Sequence, residues 1–483
     1  MLDVLAVASE MHPLVKTGGL ADVVGALPAA LAPYGVRVTT ILPGYPAVLA
    51  ALAGTRTVAR YPDLFGGPAR VLRAKLGEAA LLVLDAPLHF QREGGIYGDT
   101  TGREWPDNWR RFAALSSVAA DIAGGAIKGY APDIVHAHDW QAALTHAYVR
   151  HGRRPDLPTV TTIHNLAFQG RFDAGIFPAL GLPGGAFATE GIEYYGGVGY
   201  LKAGLYYADA ITTVSPAYAD EILTPTHGMG LDGLLAARRG RLHGILNGID
   251  TAEWDSTTDP HVPVHYGPRG LAERRRNRRA VEKRFGIAPS DGPLFAVVSR
   301  LTWQKGMDIL ADEIDGLVAM GGRLAVLGSG DRGIEAAMLD AAARHRGRVG
   351  VLTGFDESLS HLVQAGADAI LIPSRFEPCG LTQLYALRYG CIPVVAHTGG
   401  LGDTVIDANQ AALAAGVATG VVHDPGTREA LHSGIHRTIA LYRQRETWAT
   451  MQRAGMRADF SWRQSAARYA ALYHSLLQER TPA

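Results

Sequence analysis

Only two cysteines, Cys379 and Cys391, occur in 483 residues. That is too few for a disulfide framework or a four-thiolate metal site, and it predicts a reducing, cytoplasmic setting. No apolar run reaches the roughly 20 residues that a membrane-spanning helix requires; the longest lies around Ala411 to Val422. Asp3 and Glu10 flank the first apolar run, where an export signal would carry a basic start. Excess charge is missing too, since 46 Lys plus Arg balance 46 Asp plus Glu. Neither nucleic acid nor an anionic membrane is therefore expected as a partner. Lysine is the scarcest cation: six of the 46, at positions 16, 75, 128, 202, 283 and 305. Arginine fills nearly every place where any cation serves, so a lysine marks a place that wants a compact ammonium.

What is present alternates. Apolar runs over Val4 to Ala8, Val36 to Leu42, Asp133 to His136, Thr159 to Ile163 and Ile211 to Val214 predict buried parallel strands. The pattern pauses over residues 247–270, rich in Asp, Thr, Pro and Gly. It resumes with Leu294 to Ser299, Leu324 to Leu327, Val349 to Leu352, Ala369 to Ile372, Ile392 to Ala396 and Gly420 to Val422. The reading is α/β, two doubly wound Rossmann-like domains over 1–246 and 271–459 joined by a linker over 247–270. In the last stretch, 460–483, Ala466, Tyr469, Leu472 and Leu476 recur at helical spacing. The basic run Arg274, Arg275, Arg276, Arg278, Arg279 reads as a solvated helix face.

Nearly the same hexapeptide appears twice, Thr17-Gly18-Gly19-Leu20-Ala21-Asp22 and Thr398-Gly399-Gly400-Leu401-Gly402-Asp403, each between a strand-like run and a helix-like one. Glycine there either serves a turn that needs positive φ or bares the backbone so that amides and a helix N-terminus can approach a phosphate or sugar. Two copies favour the second reading. Lys16 precedes the first copy, and Lys305 lies just past a strand end with Arg300 five residues before it, cations placed for a crowded diphosphate. In Pro373-Ser374-Arg375-Phe376-Glu377-Pro378-Cys379-Gly380-Leu381-Thr382-Gln383 a carboxylate stands beside the start of a helix expected over 381–389. Gly380 to Thr382 would offer its free amides. His136-Ala137-His138-Asp139-Trp140 and His164-Asn165 end two further strands. Their spacing lacks a helix-borne ligand pair, so hydrogen bonding to a hexose is favoured over a metal, with Trp140 or Tyr97 as a stacking surface.

The strings K-T-G-G-L-A-D-V, H-A-H-D-W, H-N-L-A-F-Q-G, L-K-A-G-L-Y-Y-A-D, S-R-L-T-W-Q-K-G, P-S-R-F-E-P-C-G-L-T-Q-L-Y-A-L-R-Y-G and T-G-G-L-G-D-T-V run in order from Lys16 to Val405. Together they resemble bacterial glycogen synthases and plant starch synthases of glycosyltransferase family 5. The resemblance implies a GT-B fold, with the last helix crossing back onto the first domain. It implies a retaining transfer of glucose from ADP-glucose to the non-reducing end of an α-1,4-glucan such as glycogen or a maltooligosaccharide. It implies no metal and no cofactor, ADP-glucose being a substrate. Carried onto this chain, it gives catalytic roles to Lys16, His164, Arg300, Lys305 and Glu377. Substrate binding falls to Gly18, Gly19, Asp22, Tyr97, Asp139, Asn165, Asn247, Cys379, Gly380, Leu381 and Thr382, with Phe355 stacking on adenine. A phosphorylase, a sugar-nucleotide epimerase or a silent glucan-binding protein are the alternatives. Intact Lys16, Arg300, Lys305 and Glu377 argue against the silent one.

Overall fold

Side chains that alternate along buried strands decide the architecture, because each strand must cover both faces of a sheet. The computed structural model describes residues 1–354 and 356–480; Phe355 lies outside them. The described chain divides into two units, the first taking Met1–Gly248 and the chain from Trp462 onward, the second Ile249–Ser461.

In the first unit the strands are β1 (Leu2–Val7), β2 (Val36–Pro43), β3 (Arg56–Leu64), β4 (Gly67–Leu76), β5 (Ala79–Asp85), β6 (Ile134–His138), β7 (Thr159–Ile163), β8 (Arg171–Phe172), β9 (Glu193–Tyr194), β10 (Gly197–Gly199), β11 (Ala210–Thr213) and β12 (Leu242–Gly244). Nine of them form one sheet in the order β12-β11-β7-β6-β1-β2-β5-β4-β3, and β8-β10-β9 form a small one. Along β1, Leu5 and Val7 face one core with Phe112, Leu115 and Val118 of helix Asn108–Ala123. Leu2, Val4 and Ala6 face the other with Val23 and Leu27 of helix Gly19–Leu31 and Tyr469, Tyr473 and Leu476 of helix Trp462–Gln478. The five parallel strands expected here are present, while the antiparallel β3-β4-β5 edge was not anticipated. Strands β3 and β4 mix buried with exposed residues and so lack a continuous apolar run, whereas β5 is apolar from Ala79 to Leu84 and was missed although it carries one.

The second unit has β13 (Leu294–Val298), β14 (Arg323–Gly328), β15 (Val349–Thr353), β16 (Ala369–Ile372), β17 (Ile392–Ala396) and β18 (Val421–His423), all parallel, in the order β15-β14-β13-β16-β17-β18. Phe295 and Val297 face one core, Leu294 and Ala296 the other. The aperiodic stretch that follows Ile249 lies on this unit. Its Trp254 ring is stacked between His361 at 3.7 Å and Tyr385 at 3.6 Å. Helix Arg274–Phe285 corrects the expectation of a solvated basic face. Arg274 is buried and donates to the carbonyls of Tyr389, Gly390, Gln364 and Ala367, and Arg278 pairs with Asp368 at 2.9 Å. Only Arg275, Arg276 and Arg279 are exposed. Carbonyls at the ends of neighbouring elements need donors, and a long guanidinium reaches several at once.

Candidate functional site

Doubly wound sheets open a crevice where the strand order reverses, beyond the carboxyl ends of the two central strands. The reversal lies between β1 and β6 in the first unit and between β13 and β16 in the second. Most of the polar residues singled out from the sequence sit at those four strand ends or next to them, Asn247 instead following the edge strand β12.

After β1 the chain folds around Glu10, a carboxylate 2% exposed. Its Oε2 accepts from the Thr17 amide at 2.5 Å, and its Oε1 accepts from Thr17 Oγ1 at 2.6 Å and Tyr97 Oη at 2.5 Å. Ser9 Oγ lies 2.7 Å from the same phenol. This clasp sets the entry to helix Gly19–Leu31, whose N-cap is Gly18. The Gly18 backbone is fully extended at φ −164°, so a turn with positive φ does not explain this glycine. A Cβ added to it would meet nothing within 4 Å. Gly18 and Gly19 are exposed, and the orphan amides of a helix start lie there. Lys16 Nζ pairs with Asp22 Oδ1 at 2.7 Å. Tyr97 is thus an anchor of the loop, its phenol held well above the usual tyrosine range by burial and by Glu10. Glu10 entered the sequence reading only as a charge arguing against export. An ionisable residue directly after an apolar strand was the signal for it.

Beyond β6, Asp139 adopts φ +56°, a left-handed conformation uncommon for a non-glycine residue. Its Oδ1 accepts from the amides of His164 at 2.6 Å and Asn165 at 3.4 Å, tying the ends of β6 and β7 together. Burial raises its carboxyl to about 7 against the pull of those amides. His164 Nε2 is 3.0 Å from His138 Nδ1. Asn165 Oδ1 accepts from the Ala167 amide at 3.0 Å. Asn247 is buried, and its Oδ1 has no partner among the described residues, an acceptor that a ligand hydroxyl could satisfy. Trp140 corrects an expectation: it is core, packed against Phe112, Phe172 and Tyr200. A Cβ at Gly170 would stand 2.3 Å from its ring, so no sugar can stack on that side.

His136 is satisfied by Tyr473 Oη at 2.7 Å and Thr162 Oγ1 at 2.5 Å. Desolvation holds His136 and His164 well below the ordinary imidazole range, His138 at about 3 and His146 at about 4. The unfolded chain takes up these protons near pH 6.5 whereas the folded chain refuses them. Their stabilisation is present above about pH 6.5 and is lost as the pH falls toward 4. Asp139 acts in the opposite sense, its contribution fading as the pH rises through about 7, but four imidazoles outweigh one carboxyl. The urea midpoint of unfolding should therefore drop steadily from pH 7 to pH 5. A midpoint that stays level over that interval would show that the buried imidazoles are not neutral.

In the second unit the loops after β13 and β16 are stitched together. Arg375 donates to Trp303 O at 2.6 Å and holds both oxygens of Asp308, and its amide donates to Gln304 O at 2.9 Å. Gly306 sits at φ +67°, and a Cβ there would lie 2.0 Å from Pro373 O. This packing brings Lys305 to Glu377: Nζ to Oε2 is 2.5 Å, with Ser374 Oγ donating to the same oxygen at 3.0 Å. The sequence reading put the lysine on the diphosphate and the glutamate on the sugar; here they are one ion pair. Glu377 Oε1 makes no hydrogen bond to the described residues, which leaves an acceptor available. The helix begins at Thr382, one residue later than expected. The amides of Gly380, Leu381 and Thr382 donate to nothing among the described residues. Gly380 has φ +72°, and Gln383 Nε2 clamps the carbonyls of Cys379 and Gly380 at 3.0 and 2.9 Å. Cys379 is buried and Arg300 exposed.

The second T-G-G-L copy differs from the first. Gly399 has φ +44°, and a Cβ there would lie 2.0 Å from Glu377 O; one on Gly400 would lie 2.2 Å from Cys379 O. The Gly400 amide donates to the carbonyls of Glu377 and Pro378. These glycines buttress the Glu377 loop, whereas Gly18 faces open space. Among the described residues no group of three or more His, Cys, Asp or Glu is placed to hold a metal, and no helix is long and apolar enough to cross a membrane.

Residues 3–237 match the family model for the starch synthase catalytic domain, and residues 279–454 match that for glycosyl transferases group 1. The chain is 61% identical over 477 residues to glycogen synthase 1 of Rhizobium meliloti, covering 99% of each chain. It is 60% identical over 481 residues to a glycogen synthase of Novosphingobium aromaticivorans, again covering 99% of each. Among solved structures, it is similar to the catalytic domain of starch synthase IV from Arabidopsis thaliana bound to ADP and acarbose, with TM-score 0.90, 30% identity and 99% of each chain covered. A sucrose-phosphate synthase from Thermosynechococcus elongatus, at 18% identity and TM-score 0.61, shares the fold.

Proposed function

The chain belongs to the family of bacterial glycogen synthases and starch synthases, GT-B glycosyltransferases, and from that premise we propose how its residues carry the transfer. The reaction moves glucose from ADP-glucose to the non-reducing end of an α-1,4-glucan with retention at the anomeric carbon. Residues 1–246 serve the acceptor side and residues 271–459 the nucleotide-sugar side, in the cytoplasm. Cleavage of the anomeric C–O bond puts negative charge on the departing ADP and positive charge on the sugar ring. Groups that meet those charges more strongly than they meet the ground state lower the barrier.

The observation that carries this reading is the Lys305–Glu377 pair at 2.5 Å beside the unused amides of Gly380 to Thr382. The ammonium has two more protons to give to a diphosphate, and the free amides add the positive end of a helix. Arg300 and Lys16 contribute further cations, and Gly18 and Gly19 let an anionic donor reach the backbone. Glu377 Oε1 faces the sugar, where it accepts from a hydroxyl and stabilises the positive ring. His164, kept neutral by burial, is a hydrogen-bonding partner for glucose, and Asp139, Asn165 and Asn247 shape the sugar side. Cations of the chain supply the charge that a metal supplies elsewhere.

Radiolabelled ADP-glucose should therefore enter glycogen, and the rate should persist in EDTA. UDP-glucose run in parallel measures the donor preference. Failure to label glycogen from either donor would overturn the function, and loss of rate on chelation that a divalent ion restores would overturn the metal-free part.

A further inference from the structure

Apart from the loops described so far, the second unit carries a concavity of about 530 Å³ lined by Gly267, Pro268, Arg269, Gly270, Arg453 and Arg457. Three of its six lining residues are arginines, and none is acidic. All three arginines are exposed, and none of their side chains makes a hydrogen bond or ion pair among the described residues. Three other arginines of this unit have a carboxylate each, Arg388 with Asp255, Arg428 with Glu313 and Arg437 with Asp407. Arg453 and Arg457 stand four residues apart on helix Arg445–Arg457, so two like charges share one face. The helix dipole favours a cation in the last turn, which accounts for Arg457 but for neither Arg453 nor Arg269.

The turn opposite is bare. Gly270 has φ −106°, which any residue adopts. A Cβ at Gly267 would come no closer than 3.6 Å to another atom and one at Gly270 no closer than 3.7 Å. Neither backbone conformation nor crowding requires glycine at these positions. The amides of Gly267 and Arg269 donate to nothing among the described residues.

We propose that this concavity is an anion site separate from the transfer machinery, taking a compact ligand of the diphosphate type. The guanidinium fork matches paired phosphoryl oxygens, and three forks with two free amides exceed what a single phosphate can use. The volume also exceeds that of one phosphate ion. Binding relieves the repulsion between Arg453 and Arg457, and added salt weakens it.

Pyrophosphate, with inorganic phosphate as comparison, can be titrated calorimetrically into the full-length protein. The wild type should bind pyrophosphate more tightly than phosphate. That binding should survive Lys305→Ala, which disables the site for the leaving diphosphate. It should weaken by at least about tenfold in Arg453→Ser/Arg457→Ser. Glucose transfer should be unchanged in the arginine variant. Arg269→Ser, on the facing turn, should weaken binding several-fold without touching the helix, so it decides the matter if the double variant melts early. Equal pyrophosphate affinity in wild type and Arg269→Ser would overturn the proposal, as would disappearance of all binding in Lys305→Ala.

Discussion

Lys305→Ala and Glu377→Ala should each lower kcat/KM for glucose transfer by at least about 100-fold, the scale of losing an electrostatic contact made to the transition state. The two losses should not add. Each side chain is the other's partner at 2.5 Å, and Glu377 is 6% exposed. Removing the lysine leaves a buried carboxylate without its counter-charge, and removing the carboxylate frees the ammonium to swing. The double variant should therefore fall within about tenfold of the worse single one, as groups that act as a unit do. Lys305→Arg should also be poor. A guanidinium needs more room than an ammonium, and the loop cannot yield because the Cβ position of Gly306 is already 2.0 Å from Pro373 O. Steady-state kinetics of the four variants with ADP-glucose and glycogen provide the check. Additive losses would separate the two residues, and wild-type turnover in Lys305→Arg would make the lysine incidental.

The second large effect separates the two T-G-G-L copies. Gly400→Ala should destabilise the second unit by about 2–3 kcal/mol, the range for forcing an extra carbon into a packed site. The added Cβ would meet Cys379 O at 2.2 Å and Cys379 Cα at 2.5 Å, all backbone that cannot rotate away. For a unit of this size the melting temperature should fall by roughly 4–10 °C. Activity should fall with it, because the carbonyls that Gly400 binds belong to Glu377 and Pro378. Gly18→Ala should show the reverse. Its backbone is extended and no atom lies within 4 Å of the new carbon, so the melting temperature should stay put. The methyl would instead stand between the amides and the donor, costing at least about tenfold in kcat/KM, one hydrogen bond's worth. Calorimetry and kinetics on the two variants suffice. Equal effects on stability would mean that the copies play one role.

Local patterns settled much of this protein in advance. Continuous apolar runs between glycine-bearing turns marked β1, β2, β6, β7 and β11 of the first sheet and all six strands of the second, because a strand covered on both faces must be apolar throughout. The parallel strands β5 and β12 were not marked. Scarce lysine pointed to Lys16 and Lys305, and the duplicated hexapeptide pointed to two similar units. Where elements lacked that signature, the reading went astray. Strands β3 and β4 mix buried with exposed residues, Arg274 is fastened to backbone carbonyls inside a run of exposed-looking cations, and Trp140 lies beneath Gly170. Only the tertiary structure could join Lys305 to Glu377, 72 positions apart. The same holds for the clasp of Glu10 with Thr17 and Tyr97, and for the distinct roles of two nearly identical glycine pairs. A periodicity reports the face a residue takes within its own element. Which loops meet at a reversal of strand order depends on the winding of the whole sheet, and that winding determined which charges became partners.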